Sequence, residues 1–89
     1  MKKQKIFYWL LIVDQQRNRS GKFQKRDIYI NGGYDSKTTA IDRAISFGKK
    51  KDVRSIEIFP LPTVDATTAS HCIRDFKTIP DEIKIRLGE

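Results

Sequence analysis

An α+β fold, a small single domain with a ββαβ core and a C-terminal extension, is what this 89-residue sequence predicts. Three observations lead there. Residues 6–13 (IFYWLLIV) form an apolar run rich in β-branched and aromatic side chains, the composition of a strand. Residues 37–50 carry apolar positions at helical spacing. Residues 54–59 (RSIEIF) alternate with period two, as a third strand would.

The first strand is apolar on both alternating faces: Ile6, Tyr8, Leu10 and Ile12 on one, Phe7, Trp9, Leu11 and Val13 on the other. Such a strand is central or covered on both sides. A second copy of the chain is one candidate cover, so a homodimer or other protein partner is an expectation alongside self-contained packing. Residues 14–21 (DQQRNRSG) are polar and end in Ser-Gly, which reads as a loop. Strand character resumes over 22–30, where Phe23, Ile28, Tyr29 and Ile30 are apolar and Lys22, Gln24, Lys25, Arg26 and Asp27 polar. That charged half suits an exposed or edge position.

Asn31-Gly32-Gly33 reads as a break. Asp35 or Ser36 then caps the helix. Ala40, Ile41, Ala44, Ile45 and Phe47 fall on its apolar face, and Lys49, Lys50 and Lys51 complement the dipole at its end. Pro60-Leu61-Pro62 stops the third strand, closing the core at residue 62. In the extension, 63–89, Asp65 caps a helix over 66–76, with Ala66, Ala69, Ile73 and Phe76 near helical spacing. Pro80-Asp81-Glu82 has the makings of a helix start, but Ile83, Ile85 and Leu87 alternate with Lys84 and Arg86, which favours a strand over 82–87.

Composition bounds the function. With 38% apolar and 33% charged residues the chain is ordinary globular material rather than a disordered one. The single cysteine, Cys72, rules out an internal disulfide and fits a reducing compartment, the cytoplasm. His71 beside it is the only histidine, so no metal site or other cofactor is expected within one chain. Neighbours on a helix point about 100° apart, so His71 and Cys72 do not make a nucleophile and base, and no enzyme is expected. Asn31-Gly32-Gly33 lacks the Lys-Ser/Thr of a phosphate loop. Lys2, Lys3 and Lys5 before an apolar run outline a signal peptide. The run is short, however, and leads into Asp14-Gln15-Gln16-Arg17 with no small-x-small site, so a strand is the better reading. The same run is too short to span a membrane.

The net charge is +7, and it is unevenly placed: residues 1–34 carry +6, 35–62 carry +2 and 63–89 carry −1. A concentrated basic surface attracts polyanions, nucleic acid first among them. Arg17, Arg19, Lys22, Lys25 and Arg26 are the expected phosphate contacts, and Tyr29 and Tyr34 the aromatic faces nearby that would stack on bases.

The segment from Tyr8 to Lys50 resembles the N-terminal arm-binding domain of phage-type tyrosine recombinases. The likeness lies in an aromatic first strand, Gly21-Lys22 opening a basic second strand with Lys25-Arg26, then Gly33-Tyr34-Asp35-Ser36-Lys37 and helical Ala40 and Ala44. The resemblance implies a three-stranded sheet and a helix that bind DNA, with Lys22, Lys25 and Arg26 as contacts and Tyr34 and the alanines as packing residues. The strand after the helix departs from that pattern. The same order also looks like small uncharacterised bacterial and phage-borne proteins, for which no activity is implied.

Overall fold

The computed structural model describes residues 5–17, 20, 23–50, 52–79, 83 and 85–87, with 16, 17 and 23–26 described by backbone alone. The elements are β1 (Phe7–Arg17), β2 (Phe23–Tyr34), α1 (Lys37–Gly48), β3 (Val53–Leu61), α2 (Ala66–Phe76) and β4 (Ile85–Leu87). They form one four-stranded sheet in the order β3-β1-β2-β4. β1 is antiparallel to both neighbours, and β4 is parallel to β2. The fold is thus α+β with the expected ββαβ core, extended by α2 and β4. None of the described helices is long and apolar enough to cross a membrane.

β2, β3 and β4 all point the same way. α1 carries the chain from β2 across β1 to β3, and α2 carries it back from β3 to the far side of β2. Two crossovers of the same hand running in opposite directions must use opposite faces of the sheet. The packing shows this. On one face Leu10, Ile12 and Ala40 form a buried cluster joined by Tyr8, Tyr29, Phe47 and Ile56. On the other, Trp9, Leu11, Ile28, Ile30, Leu61, Ala69 and Ile73 are buried together. The two apolar faces of β1 are therefore both covered within the chain, and the surplus that pointed to a second copy is used internally.

Both helix starts follow from their caps. Ser36 Oγ accepts the Thr39 N–H at 3.1 Å, and the Asp65 carboxylate accepts the Thr68 N–H at 2.9 Å and the Thr68 hydroxyl at 2.6 Å. Those bonds hold the Asp65 carboxyl below its ordinary range. Ala40, Ala44 and Phe47 face the sheet, whereas Ile41 and Ile45 are exposed, so the apolar face of α1 is narrower than its spacing suggests. α1 ends at Gly48 with no basic residue in its last turn, which corrects the expected helix to residue 50. Lys50 instead reaches back to the Phe47 ring, 4.8 Å from its centroid.

Three strand boundaries differ from expectation. β1 runs on through 14–17, which the polar composition marks as loop, because pairing with β2 continues there. β2 runs through Asn31-Gly32-Gly33 rather than breaking. Trp9 pairs with Gly32 and Tyr8 with Tyr34, leaving Gly33 as the extra residue of a bulge. Gly33 takes φ +77°, and a Cβ at Gly32 would stand 2.8 Å from Trp9 Cα and Tyr8 O. The glycines thus let β2 lie directly against Trp9, whose Nε1 donates to the Thr63 carbonyl at 2.9 Å. The third difference is at Pro60, which β3 runs through to Leu61. β3 is an edge strand, where a missing N–H faces no neighbour.

Candidate functional site

The β1–β2 ladder is longer than the sheet that contains it. β3 pairs with β1 only as far as Asp14, and among the described residues β4 pairs with β2 no further than Ile28. Beyond them the ladder continues through Gln15↔Arg26, Gln16↔Lys25 and Arg17↔Phe23. At about 3.4 Å per residue this adds roughly 10 Å of two-stranded ribbon. The molecule measures 57 × 29 × 18 Å, so it is drawn out along one axis. Gln15 N–H still donates to the Asp52 carbonyl at 2.9 Å, which fixes the root of this arm to the body.

Residues 15–26 contain five cations and no acid. Those cations are Arg17, Arg19, Lys22, Lys25 and Arg26, the five expected phosphate contacts. The backbone brings Arg17, Lys25 and Arg26 onto the arm ladder, while their side chains, and Arg19 and Lys22 entirely, lie outside the described residues. The two aromatic candidates part company. Tyr29 sits at the root, half-buried, with its ring edge-on to Phe47 at 6.2 Å. Tyr34 lies at the opposite end of the ladder, paired with Tyr8, and its hydroxyl donates to the amide oxygen of buried Asn31. It is not brought to the cations.

A polar cluster closes the root on the α1 face. Asp14 and Asp27 are directly opposite across β1 and β2. Arg86 of β4 binds Asp27 at 2.5 Å, and its guanidinium lies 5.7 Å from the Tyr29 ring centroid. One Asp14 oxygen is buried without a hydrogen-bond partner. Burial, then the facing Asp27, push the Asp14 carboxyl above its ordinary range, and Lys50 and Arg86 offset this only in part. Tyr29 is pushed up as well, by burial first and then by the Asp14 charge. Lys50 and Arg86 are thus cations at the arm root that the sequence reading did not place there. The triple lysine pointed to one only as a helix end, and Arg86 was hidden in a short alternating segment.

A carboxyl raised in the folded state destabilises it once ionised, so stability falls as pH rises from the usual carboxylate range toward the raised value. Asp14→Asn keeps an acceptor for Tyr29 and removes the charge facing Asp27. It is expected to be more stable than the parent at pH 7 by a few tenths to about 1 kcal/mol, the range for cross-strand charge pairs. The difference should vanish by about pH 3, where Asp14 is protonated in both states. Urea denaturation of the two proteins across this pH range measures it.

No family model matches the chain, nor does any curated protein or solved structure.

Proposed function

We propose that this chain is a small, non-enzymatic, cytoplasmic nucleic-acid-binding module that contacts phosphates through its β1–β2 arm. The observation that carries this reading is the placement of charge: residues 15–26 hold five cations and no acid, and three of the five, Arg17, Lys25 and Arg26, lie on a two-stranded ribbon that, among the described residues, outruns the strands flanking it. A two-stranded ribbon fits the major groove of a duplex, and arginine and lysine on it reach phosphates and base edges. The likeness to recombinase arm-binding domains points the same way. Self-association is the weaker reading, since α1 and α2 between them cover both faces of β1. The non-enzymatic part is supported by α2, where His71 is exposed while Cys72 packs against the buried cluster, so the two diverge.

Fluorescence anisotropy with labelled duplex and single-stranded DNA and RNA, at about 50 and 200 mM salt, tests the reading. Five phosphate contacts on a duplex give a slope near −4.5 in log affinity against log salt, or roughly a 500-fold loss between these concentrations. No binding at the lower salt overturns it.

A further inference from the structure

The faces of β1 are closed by α1 and α2, but the edge of the sheet at β3 is open: among the described residues no strand pairs with its outer side. The Gln15 N–H points to the Asp52 carbonyl, so the odd-numbered residues of β1 bond toward β3, and their partners Ser55, Glu57 and Phe59 bond back. The backbone N–H and C=O groups of Ile56 and Ile58 therefore face outward, and Pro60 closes that open stretch on the same side. We propose that this edge pairs with β3 of a second copy, antiparallel across a two-fold axis, joining two four-stranded sheets into one of eight strands. The pairing uses the edge rather than the faces of the sheet, and it adds to the role of the arm without depending on it.

A second copy is selected because the edge is apolar in both layers, and a two-fold axis normal to the sheet brings each layer against itself. On one layer Ile41, Ile45 and Gly48 lie along one side of α1 at i, i+4 and i+7. Gly48 sets that side toward β3, since a Cβ on it would stand 4.0 Å from Ile56 Cδ1. Ile41 and Ile45 are 39% and 56% exposed. On the other layer Phe76 of α2 stacks on Phe59 of β3, with ring centroids 6.5 Å apart, and is 72% exposed. Among the described residues, three of the six large apolar side chains left exposed thus border β3. In the pair they meet their own copies, apolar on apolar. Ile56 opposite Ile58 of the second copy uses both outward residues and leaves Pro60 outside the paired stretch. Glu57 then faces its copy, each carboxylate balanced by Lys77 of its own chain at 2.7 Å. Because the two β3 strands run antiparallel, the two arms leave at opposite ends, which keeps their basic ladders apart.

Sedimentation equilibrium of the full chain, from about 1 to 500 μM, and residue-resolved amide exchange by NMR at both ends of that range test the proposal. The expected result is reversible conversion of the 10.4 kDa chain to twice its mass. The Ile56 and Ile58 amides should gain protection as concentration rises, whereas those of Ser55, Glu57 and Phe59 are protected throughout. Ile45→Glu and Phe76→Lys, both at exposed helix positions, are each expected to weaken the dimer about tenfold or more while remaining folded. Leu87→Glu, at an exposed position on the opposite edge strand, is expected to leave it unchanged. A chain that stays monomeric across the range overturns the proposal. So does a dimer in which the Ile56 and Ile58 amides exchange as they do in the monomer, one that withstands both helix substitutions, or one that Leu87→Glu dissociates.

Discussion

Replacing Arg17, Arg19, Lys22, Lys25 and Arg26 together by alanine is expected to remove most nucleic-acid affinity and nearly all of its salt dependence. Each phosphate contact contributes about 0.9 to the salt slope on a duplex, so losing five should bring a slope near −4.5 close to zero. The melting temperature should stay within about 2 °C of the parent, because lysine and arginine are rarely buried and substitutions of exposed residues cost little. Among the residues whose side chains are described, the buried clusters draw on β1 up to Val13 and on β2 from Ile28. Anisotropy and thermal melts of the same samples separate the two effects. A variant that binds like the parent at both salt concentrations would take the arm out of the function. A variant that unfolds would show that the arm supports the body after all.

The second large effect is on stability. Leu10→Ala and Ile73→Ala each remove a fully buried side chain, from opposite faces of the sheet. Each should cost about 3 kcal/mol. A domain of this length has roughly 4–13 kcal/mol in all, so either change takes a large share and lowers the melting temperature by about 12–24 °C. The two layers meet at β1, where Leu10 and Ile12 alternate with Trp9 and Leu11. Both variants are therefore expected to unfold in one transition, with Trp9 emission and far-UV circular dichroism coinciding. In Ile73→Ala, loss of helical signal ahead of the Trp9 change would show instead that α2 melts separately.

The sequence was most legible where a local signal and a buried face coincide. α2 begins after the Asp65 cap and runs over the expected 66–76, with Ala69 and Ile73 turned inward. Ser36 does the same for α1. The alternation of residues 83–87 pointed to a strand, and Ile85–Leu87 forms one. Its partner and direction were not legible, since a parallel neighbour is set by the crossover and not by local pattern. The polar composition of 14–17 marks a loop for a related reason. A two-stranded ribbon is held by backbone pairing and needs no apolar alternation, so pairing persists where the pattern ends. Asn31-Gly32-Gly33 misled in the opposite sense, as turn-forming residues used inside a strand to make a bulge against Trp9. The basic cluster was visible as composition. That the β1–β2 ladder carrying Arg17, Lys25 and Arg26 runs past the described parts of β3 and β4, and that Lys50 and Arg86 join at its root, depends on contacts between distant segments.

The use of opposite faces by the two crossovers has a consequence for the order in which the protein can be made. Apart from Leu61 and its α2-side neighbours, β1, β2, α1 and β3 complete the first layer by residue 61, but the second face waits for α2 and β4. A nascent chain emerging N-terminus first therefore passes through a stage with one side of its sheet finished and Trp9, Leu11, Ile28 and Ile30 bare on the other. At that stage it is most exposed to misassembly, and the arrival of Ala69 and Ile73 ends it.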